Sequence, residues 1–389
     1  RKKMNRNVQI MLGTSILFGL SLGVYDFLLP YYLDNAGISF ANMGAIFSVA
    51  ALVMFVLRIY VGHLSDRLGR KLFYALALLG CSLANFLTPL FRALGAQIAL
   101  KSLRESSAVV KDTMHTVALY ENAQKRFTDF IARTNGAEFL FQGIGTFVGG
   151  ALMVAVGYRT SFFFSAALLM VAFFWLAVGF HERNTEAQHG EAMRLRNLWS
   201  FGLPVELRIL AASGFVFTVG LSTSHCFVMP LFFAKKFAVS APIVAAILTI
   251  HRISLGLPML FTGRWLRGSL KGFYIAFVIY EGIAMSASAL IPHFLPATMV
   301  WLTHDLVGAS VWFPIQKTLI QRFARPEVRG RQVGQVLAVS SLGWIFGPLI
   351  AGFVADISIS APFFLSGLLM IASALMLLPL RVERKNPKT

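Results

Sequence analysis

Long apolar stretches separated by short polar connections dominate the sequence. Each stretch holds about twenty residues, which is the length that a helix needs to cross the hydrocarbon core of a membrane. The pattern predicts an all-α membrane protein with twelve transmembrane helices. We number the stretches segments 1 to 12: Val8–Leu33, Phe40–Val61, Leu72–Phe91, Gly95–Ala118, Thr134–Val156, Phe162–Phe180, Leu207–Phe233, Ala241–Thr262, Gly272–Phe294, Ala297–Ile320, Val333–Ala355 and Ala361–Leu380.

A polar stretch, His181–Val205, divides the chain nearly in half and predicts a cytoplasmic linker. The first segment of each half carries a related sequence, since Phe-Leu-Leu-Pro beginning at Phe27 recurs as Phe-Val-Met-Pro beginning at Phe227. Duplication of a six-helix unit is common among membrane transporters. We therefore predict two pseudo-symmetric six-helix bundles, residues 1–180 and 206–389, on either side of the linker.

The composition excludes a soluble globular domain, since 57% of the residues are hydrophobic and 13% are charged. In a soluble protein, the formal net charge of +18 would suggest nucleic acid as a partner. Here most Lys and Arg residues fall in the loops on the side that holds both termini, and the opposite loops hold Arg92, Arg159, Lys235 and Lys236. This asymmetry predicts that both termini are cytoplasmic and that the chain binds no nucleic acid.

A short charged motif connects segments 2 and 3. It has the form Gly-x-x-x-Asp-Arg-x-Gly-Arg-Lys and contains Gly62, Asp66, Arg67, Gly69 and Arg70. The glycines permit a sharp reversal of the chain, and the basic residues favour a position of this loop on the cytoplasmic side. In spacing and in place, the motif resembles the loop signature of the major facilitator superfamily of secondary transporters. The resemblance implies a gating contact within a tight loop between the two helices.

The resemblance covers nearly the whole chain through the pattern of twelve segments. It implies a monomeric integral protein of the bacterial inner membrane, whose bundles surround a central cavity that opens to each side in turn. In that fold, segments 1, 4, 7 and 10 line the cavity. The expected partners are a small-molecule solute, protons and membrane lipids. The sequence contains no nucleotide-binding loop of the Gly-x-x-x-x-Gly-Lys-Ser/Thr type, so we expect an ion gradient to drive transport.

Charged side chains inside the segments are candidates for substrate binding. A charge at mid-helix costs at least ~2.5 kcal/mol, so it marks either a functional site or a pair with a neighbouring helix. Three deep cations, one acid and one aromatic ring able to stack on an organic solute form the predicted substrate-binding set: Lys101, Arg104, Arg252, Asp305 and Tyr25.

Arg104 allows two interpretations. It would offer a fork of donors to a substrate carboxylate or phosphate, or it would form an ion pair with Glu105 or Asp26. Proton coupling requires a group whose charge a modest change of pKa removes, which a desolvated carboxylate or a histidine provides. The predicted proton-coupling residues are Asp26, Glu105 and His304.

Other charged residues lie nearer the helix ends or outside the expected cavity. Glu281 of segment 9 is predicted to pair with a neighbouring helix. For the charged residues nearest the cytoplasm, a structural or gating role is as compatible with the sequence as substrate binding. These residues are Arg58, Asp112, His115, Glu138 and Lys317.

We expect a secondary active transporter that moves a small organic, anionic solute together with protons, because the deep cations Lys101, Arg104 and Arg252 require anionic partners. One alternative is a proton-driven exporter of amphiphilic or cationic compounds, in which Asp26, Glu105 and Asp305 bind the cargo. Another is a lipid-handling or sensory membrane protein without transport activity. The sequence predicts no enzyme, no cofactor and no metal site, because no catalytic motif appears and Cys81 and Cys226 lie in apolar segments.

Overall fold

The computed structural model describes residues 5–68, 70–123, 127–181, 202–265, 269–325 and 329–381. They belong to two compact units. The first comprises Arg1–Gly190 with Phe227–Ile253, and the second comprises Glu191–Cys226 with Ser254–Thr389. The predicted domain boundaries at residues 180 and 205 stay a prediction.

Every predicted segment coincides with helix. Segments 1 to 4 are Arg6–Asn35, Phe40–Leu68, Arg70–Leu87 and Leu94–Ala123, and segments 5 and 6 lie in Phe127–Gly179. Segment 7 comprises Val205–His225 and Val228–Phe237, segment 8 is Ala241–Trp265 and segment 9 is Leu270–Leu290. Segment 10 comprises Phe294–Thr303 and Ser310–Phe323, segment 11 comprises Arg329–Ser341 and Gly343–Ile357, and segment 12 is Ala361–Leu375.

Local breaks interrupt several helices that the hydropathy pattern predicts to be continuous. Gly157, with φ 77° and ψ 174°, lies in the predicted gap between segments 5 and 6, in a conformation that glycine adopts readily. Segment 7 breaks at Cys226 and segment 11 at Leu342. In segment 10, His304–Ala309 form a π-helical turn, a feature that is frequent at functional sites. Mean hydropathy does not register such breaks, because it averages over a whole segment.

The connection between segments 2 and 3 is shorter than the sequence predicts. The helix of segment 2 continues through the charged motif to Leu68, and the next helix begins at Arg70. The predicted loop over residues 62–71 is therefore wrong in extent. A helix can continue beyond the apolar stretch because its backbone hydrogen bonds are satisfied within the helix itself.

Seven helices among the described residues are long and apolar enough to cross a membrane by themselves. One of these, Arg133–Gly179, contains segments 5 and 6, and Ala241–Leu255 and Ala361–Leu375 are shorter apolar helices. Segments 4 and 10 are not among the seven, since the first carries many charges and the second contains the π-helical turn. Together the helices form the all-α membrane fold that the sequence predicts.

In the first unit, segments 1 and 5 pack backbone against backbone. A methyl group at Gly149 would lie 3.0 Å from the Cα atom of Val24, and one at Gly145 would collide with the carbonyl oxygen of Leu20. Small residues thus permit the close contact between segments 1 and 5. The contact brings segment 5 beside the part of segment 1 that carries Asp26.

The second unit uses the same kind of contact. The hydroxyl of Ser222 on segment 7 donates to the carbonyl oxygen of Gly343 on segment 11 over 2.9 Å. A methyl group at Gly282 of segment 9 would lie 2.6 Å from the carbonyl oxygen of Gly367 on segment 12. Glycine and serine therefore set the spacing between these helices.

Candidate functional site

Arg104 of segment 4 lies at the centre of an ion-pair cluster in the first unit. Its guanidinium NH1 atom lies 3.1 Å from the carboxylate of Glu105 and 4.0 Å from that of Asp26 on segment 1. The Arg104 side chain is only 3% exposed. Burial of this cation therefore depends on carboxylates from two helices.

Lys101 completes the cluster. Its Nζ atom lies 2.7 Å from Oε1 of Glu105, in an i,i+4 pair, and 4.6 Å from the ring centroid of Phe47. The buried ring of Tyr25 lies 4.7 Å from the guanidinium of Arg104, so aromatic faces stabilise both cations. With two cations and two carboxylates, the cluster carries no net charge when all four groups are ionised.

The two carboxylates are the exposed members of the cluster. The side chains of Asp26 and Glu105 are 39% and 24% exposed, whereas that of Lys101 is 7% exposed. The amide of Gln142 on segment 5 donates to Oδ2 of Asp26 over 3.4 Å. A solute or a water molecule that reaches this cluster therefore meets carboxylate oxygens first.

The structure thus brings four predicted charged residues together with the predicted aromatic residue Tyr25. The four are Asp26, Lys101, Arg104 and Glu105. Phe47 and Gln142 were not predicted from the sequence, because an apolar ring and an uncharged amide give no charge signal in an apolar segment. Arg252 lies on segment 8 of the same unit, beside Gly143 of segment 5. Its predicted role in substrate binding stays a prediction.

His304 is part of a buried network in the second unit. Its Nδ1 atom contacts the carbonyl oxygen of Trp301, and this bond requires a proton on Nδ1. In neutral His304, Nε2 is then the acceptor for Nε2–H of His225, 3.1 Å away. The carboxylate of Asp305 lies 3.5 Å from the same Nε2 atom. A proton added there would convert the contact with Asp305 into an ion pair.

Glu281 lies close to this network. It is buried on segment 9 and accepts a hydrogen bond from the indole N–H of Trp312 on segment 10. A methyl group at Gly308, within the π-helical turn, would lie 3.1 Å from Cβ of Glu281. Glu281 therefore contacts a neighbouring helix as predicted from the sequence, and its partner is an aromatic donor, Trp312, which was not predicted.

Only part of the predicted gating motif has described side chains. Arg70 donates through Nε to the carboxylate of Glu121 on segment 4 over 3.3 Å. The side chains of Asp66 and Arg67 and the surroundings of Gly62 lie outside the described residues, as does Gly69. The gating role stays a prediction.

The chain matches the family model of the Major Facilitator Superfamily over residues 11–303 and 210–389. It is 23% identical over 401 residues to the quinolone resistance protein NorA of Staphylococcus aureus (strain MSSA476), with 99% of each chain covered. It is 26% identical over 403 residues to multidrug resistance protein 2 of Bacillus subtilis (strain 168), with 97% of this chain and 95% of that one covered.

Among solved structures, the chain is similar to the nucleoside transporter NupG. The TM-score is 0.76 at 16% identity, with 97% of this chain and 99% of the other covered, a likeness that supports the fold alone. Members of the matching family are transporters and not enzymes. The chain belongs to the Major Facilitator Superfamily and is an integral membrane transporter of small-molecule solutes with the twelve-helix fold of that family.

Proposed function

We propose that this protein exports amphiphilic organic cations in exchange for protons, with Asp26 as the carboxylate that binds either the cargo or a proton. The exposure of the cluster around Arg104 carries this proposal. Its cations are buried in ion pairs, and its carboxylates are the groups that a solute can reach. Of the functions that the sequence allows, this geometry favours the exporter over the anion transporter.

Competition at Asp26 would couple the two fluxes. A cation is attracted to the carboxylate form of Asp26, whereas the protonated form is neutral and releases it. If one group binds either the cargo or a proton, but not both, the transporter exchanges the two as its binding site opens to each side of the membrane in turn. The names of the two relatives, quinolone resistance protein and multidrug resistance protein, support export of organic compounds.

The buried network of the second unit offers another proton acceptor. His304 is neutral in the arrangement described, and Asp305 lies beside its Nε2 atom. Protonation of His304 at Nε2 would replace the hydrogen bond from His225 by an ion pair with Asp305. We therefore include both residues in the proposed coupling machinery.

Transport of an organic anion is the second candidate function. The observation that favours it is the Nε atom of Arg104, which is buried and has no hydrogen-bond partner among the described residues. A solute carboxylate could accept from this donor if Arg104 exchanged its pair with Glu105 for one with the solute.

Two ions of matched size and opposite charge separate these functions. We expect tetraphenylphosphonium to raise the melting temperature of the purified protein and tetraphenylborate to have no such effect, since a ligand stabilises the state that binds it. In proteoliposomes, a proton gradient should drive accumulation of tetraphenylphosphonium, and Asp26→Asn should abolish it.

Asp34→Asn is the matched control, because Asp34 is a second carboxylate on segment 1 and lies outside the cluster. This variant should accumulate tetraphenylphosphonium as the wild type does. Stabilisation by tetraphenylborate alone would reject the exporter and favour anion transport. Accumulation that survives Asp26→Asn would reject the assigned role of Asp26.

A further inference from the structure

A second charged cluster lies in the first unit between segments 4 and 5. The Nζ atom of Lys111 lies 2.5 Å from Oε2 of Glu138 and 3.0 Å from Oδ1 of Asp112. The Lys111 side chain is 1% exposed, whereas that of Asp112 is 58% exposed. The cluster therefore runs from the interior of the unit to its surface.

A cavity of about 220 Å³ adjoins this cluster. Its lining includes the polar side chains of Asp112, Thr116, Asn135 and Glu138. One water molecule occupies about 30 Å³ in the liquid and needs two to four polar partners. The cavity thus has the room and the polar groups to hold several water molecules against Glu138.

Gln142 links Glu138 to the ion-pair cluster around Arg104. Gln142 follows Glu138 at i+4 on segment 5, so the two side chains share one face of the helix. The Gln142 amide in turn donates to Asp26 over 3.4 Å. Gln142 therefore lies between the two sites, about one helical turn from Glu138 and within hydrogen-bond distance of Asp26.

We propose that Glu138 relays protons between Asp26 and the water at this end of the first unit, an inference that rests on the proposed function. Asp26 gives up its proton as cargo binds, and the proton passes to a Glu138 carboxylate oxygen through water beside Gln142. Glu138 becomes neutral, while Lys111 remains a cation paired with Asp112. Glu138 then releases the proton to cavity water and regains its ion pair with Lys111.

The groups that face Glu138 fit this role. Lys111 and Asp112 supply one cation and one anion, so Lys111 keeps a partner when Glu138 is neutral. Thr134 donates its hydroxyl proton to a backbone carbonyl and therefore accepts from Nε2–H of His115.

The other ring nitrogen of His115 then accepts from the hydroxyl of Tyr74 on segment 3. His115 is thus neutral and fixed in place by both bonds, and Tyr74 is a donor to it. Segment 1 faces the cluster with Phe18, whose ring centroid lies 4.0 Å from Nζ of Lys111, and with Gly19, against the backbone of Glu138. Among these groups, Glu138 is the carboxylate that lies one helical turn from Gln142, the hydrogen-bond partner of Asp26.

The test measures proton release when tetraphenylphosphonium is mixed with purified protein in weakly buffered detergent that contains a pH dye. A relay changes the rate of release but not its amount. We expect Glu138→Gln to release the wild-type amount about ten-fold more slowly, since a positioned acid–base group accelerates proton transfer. Glu138→Asp keeps a carboxylate and should restore most of the rate.

Glu206→Gln, the same substitution in the second unit, is the matched control and should leave rate and amount unchanged. Release at the wild-type rate by Glu138→Gln would overturn the relay alone. Asp26→Asn that still releases the wild-type amount, or a wild type that releases none, would overturn the proposed function and the relay with it.

Asp112→Asn is a second variant for the case that Glu138→Gln does not fold. Asp112 is largely exposed, so its loss leaves the packing of the unit intact. In this variant, Glu138 is the remaining carboxylate partner of Lys111 within the cluster. Protonation of Glu138 would leave the Lys111 cation without a carboxylate there and is therefore disfavoured. Release should slow in this variant too, and an unchanged rate would overturn the relay.

Discussion

The cluster around Arg104 and the network around His304 place polar groups inside apolar helices in two different ways. The first uses full charges, with two cations and two carboxylates on neighbouring helices. The second pairs Glu281 and His304 with neutral donors, the indole of Trp312 for Glu281 and the imidazole of His225 for His304. One is an ionic arrangement and the other consists mainly of hydrogen bonds.

The difference determines what each arrangement loses when one partner is removed. Removal of one member of a buried ion pair leaves a charge without compensation, which is far more costly than the loss of a neutral hydrogen bond. A proton added to His304 replaces one hydrogen bond by an ion pair with Asp305, whereas the ionic cluster must exchange one cation for another. Substitutions that remove single partners therefore test the comparison directly.

Arg104→Ala should produce the largest effect. It leaves Asp26 without its cation and gives Glu105 only Lys101, so we expect the free energy of unfolding to fall by about 3–5 kcal/mol. Unfolding of the detergent-purified protein, followed by circular dichroism, would measure this loss.

The double variant Arg104→Ala with Asp26→Asn is the control. It retains the Lys101–Glu105 pair and no longer has an unpaired acid, so most of the stability should return. A loss below about 1 kcal/mol for Arg104→Ala, the range of exposed pairs, would mean that the cluster behaves as a surface salt bridge.

Trp312→Phe should have an intermediate effect. It removes the indole N–H from Glu281 and leaves a buried acid without this donor, which costs about 1–3 kcal/mol. Because the smaller ring also loses packing, the measurement is a double-mutant cycle with Glu281→Leu. The coupling free energy between the two sites should fall in the same range. Additive effects would show that packing, and not the hydrogen bond, accounts for the loss.

The sequence predicted the helices better than it predicted the contacts of the charged side chains. Twenty-residue apolar stretches identify spanning helices because the membrane imposes that length. The pairing of Arg104 with Glu105 or Asp26 was one of two interpretations, since sequence alone does not fix the rotation of a helix. Gln142 and Trp312 were not anticipated, because a neutral donor becomes recognisable only when its acceptor is known.

Lys235→Met should have the smallest effect and completes the comparison with an ion pair near the surface. The Nζ atom of Lys235 lies 2.6 Å from Oδ1 of Asp34, but the two side chains are 40% and 34% exposed. Pairs of this kind contribute about 0.2–1 kcal/mol, and salt screens them. The stability difference from wild type should therefore be small at low ionic strength and vanish in about 1 M salt. The loss caused by Arg104→Ala should persist in the same salt, because the guanidinium of Arg104 is itself enclosed by protein. If both losses changed with salt to the same degree, burial would not be what distinguishes the two ion pairs.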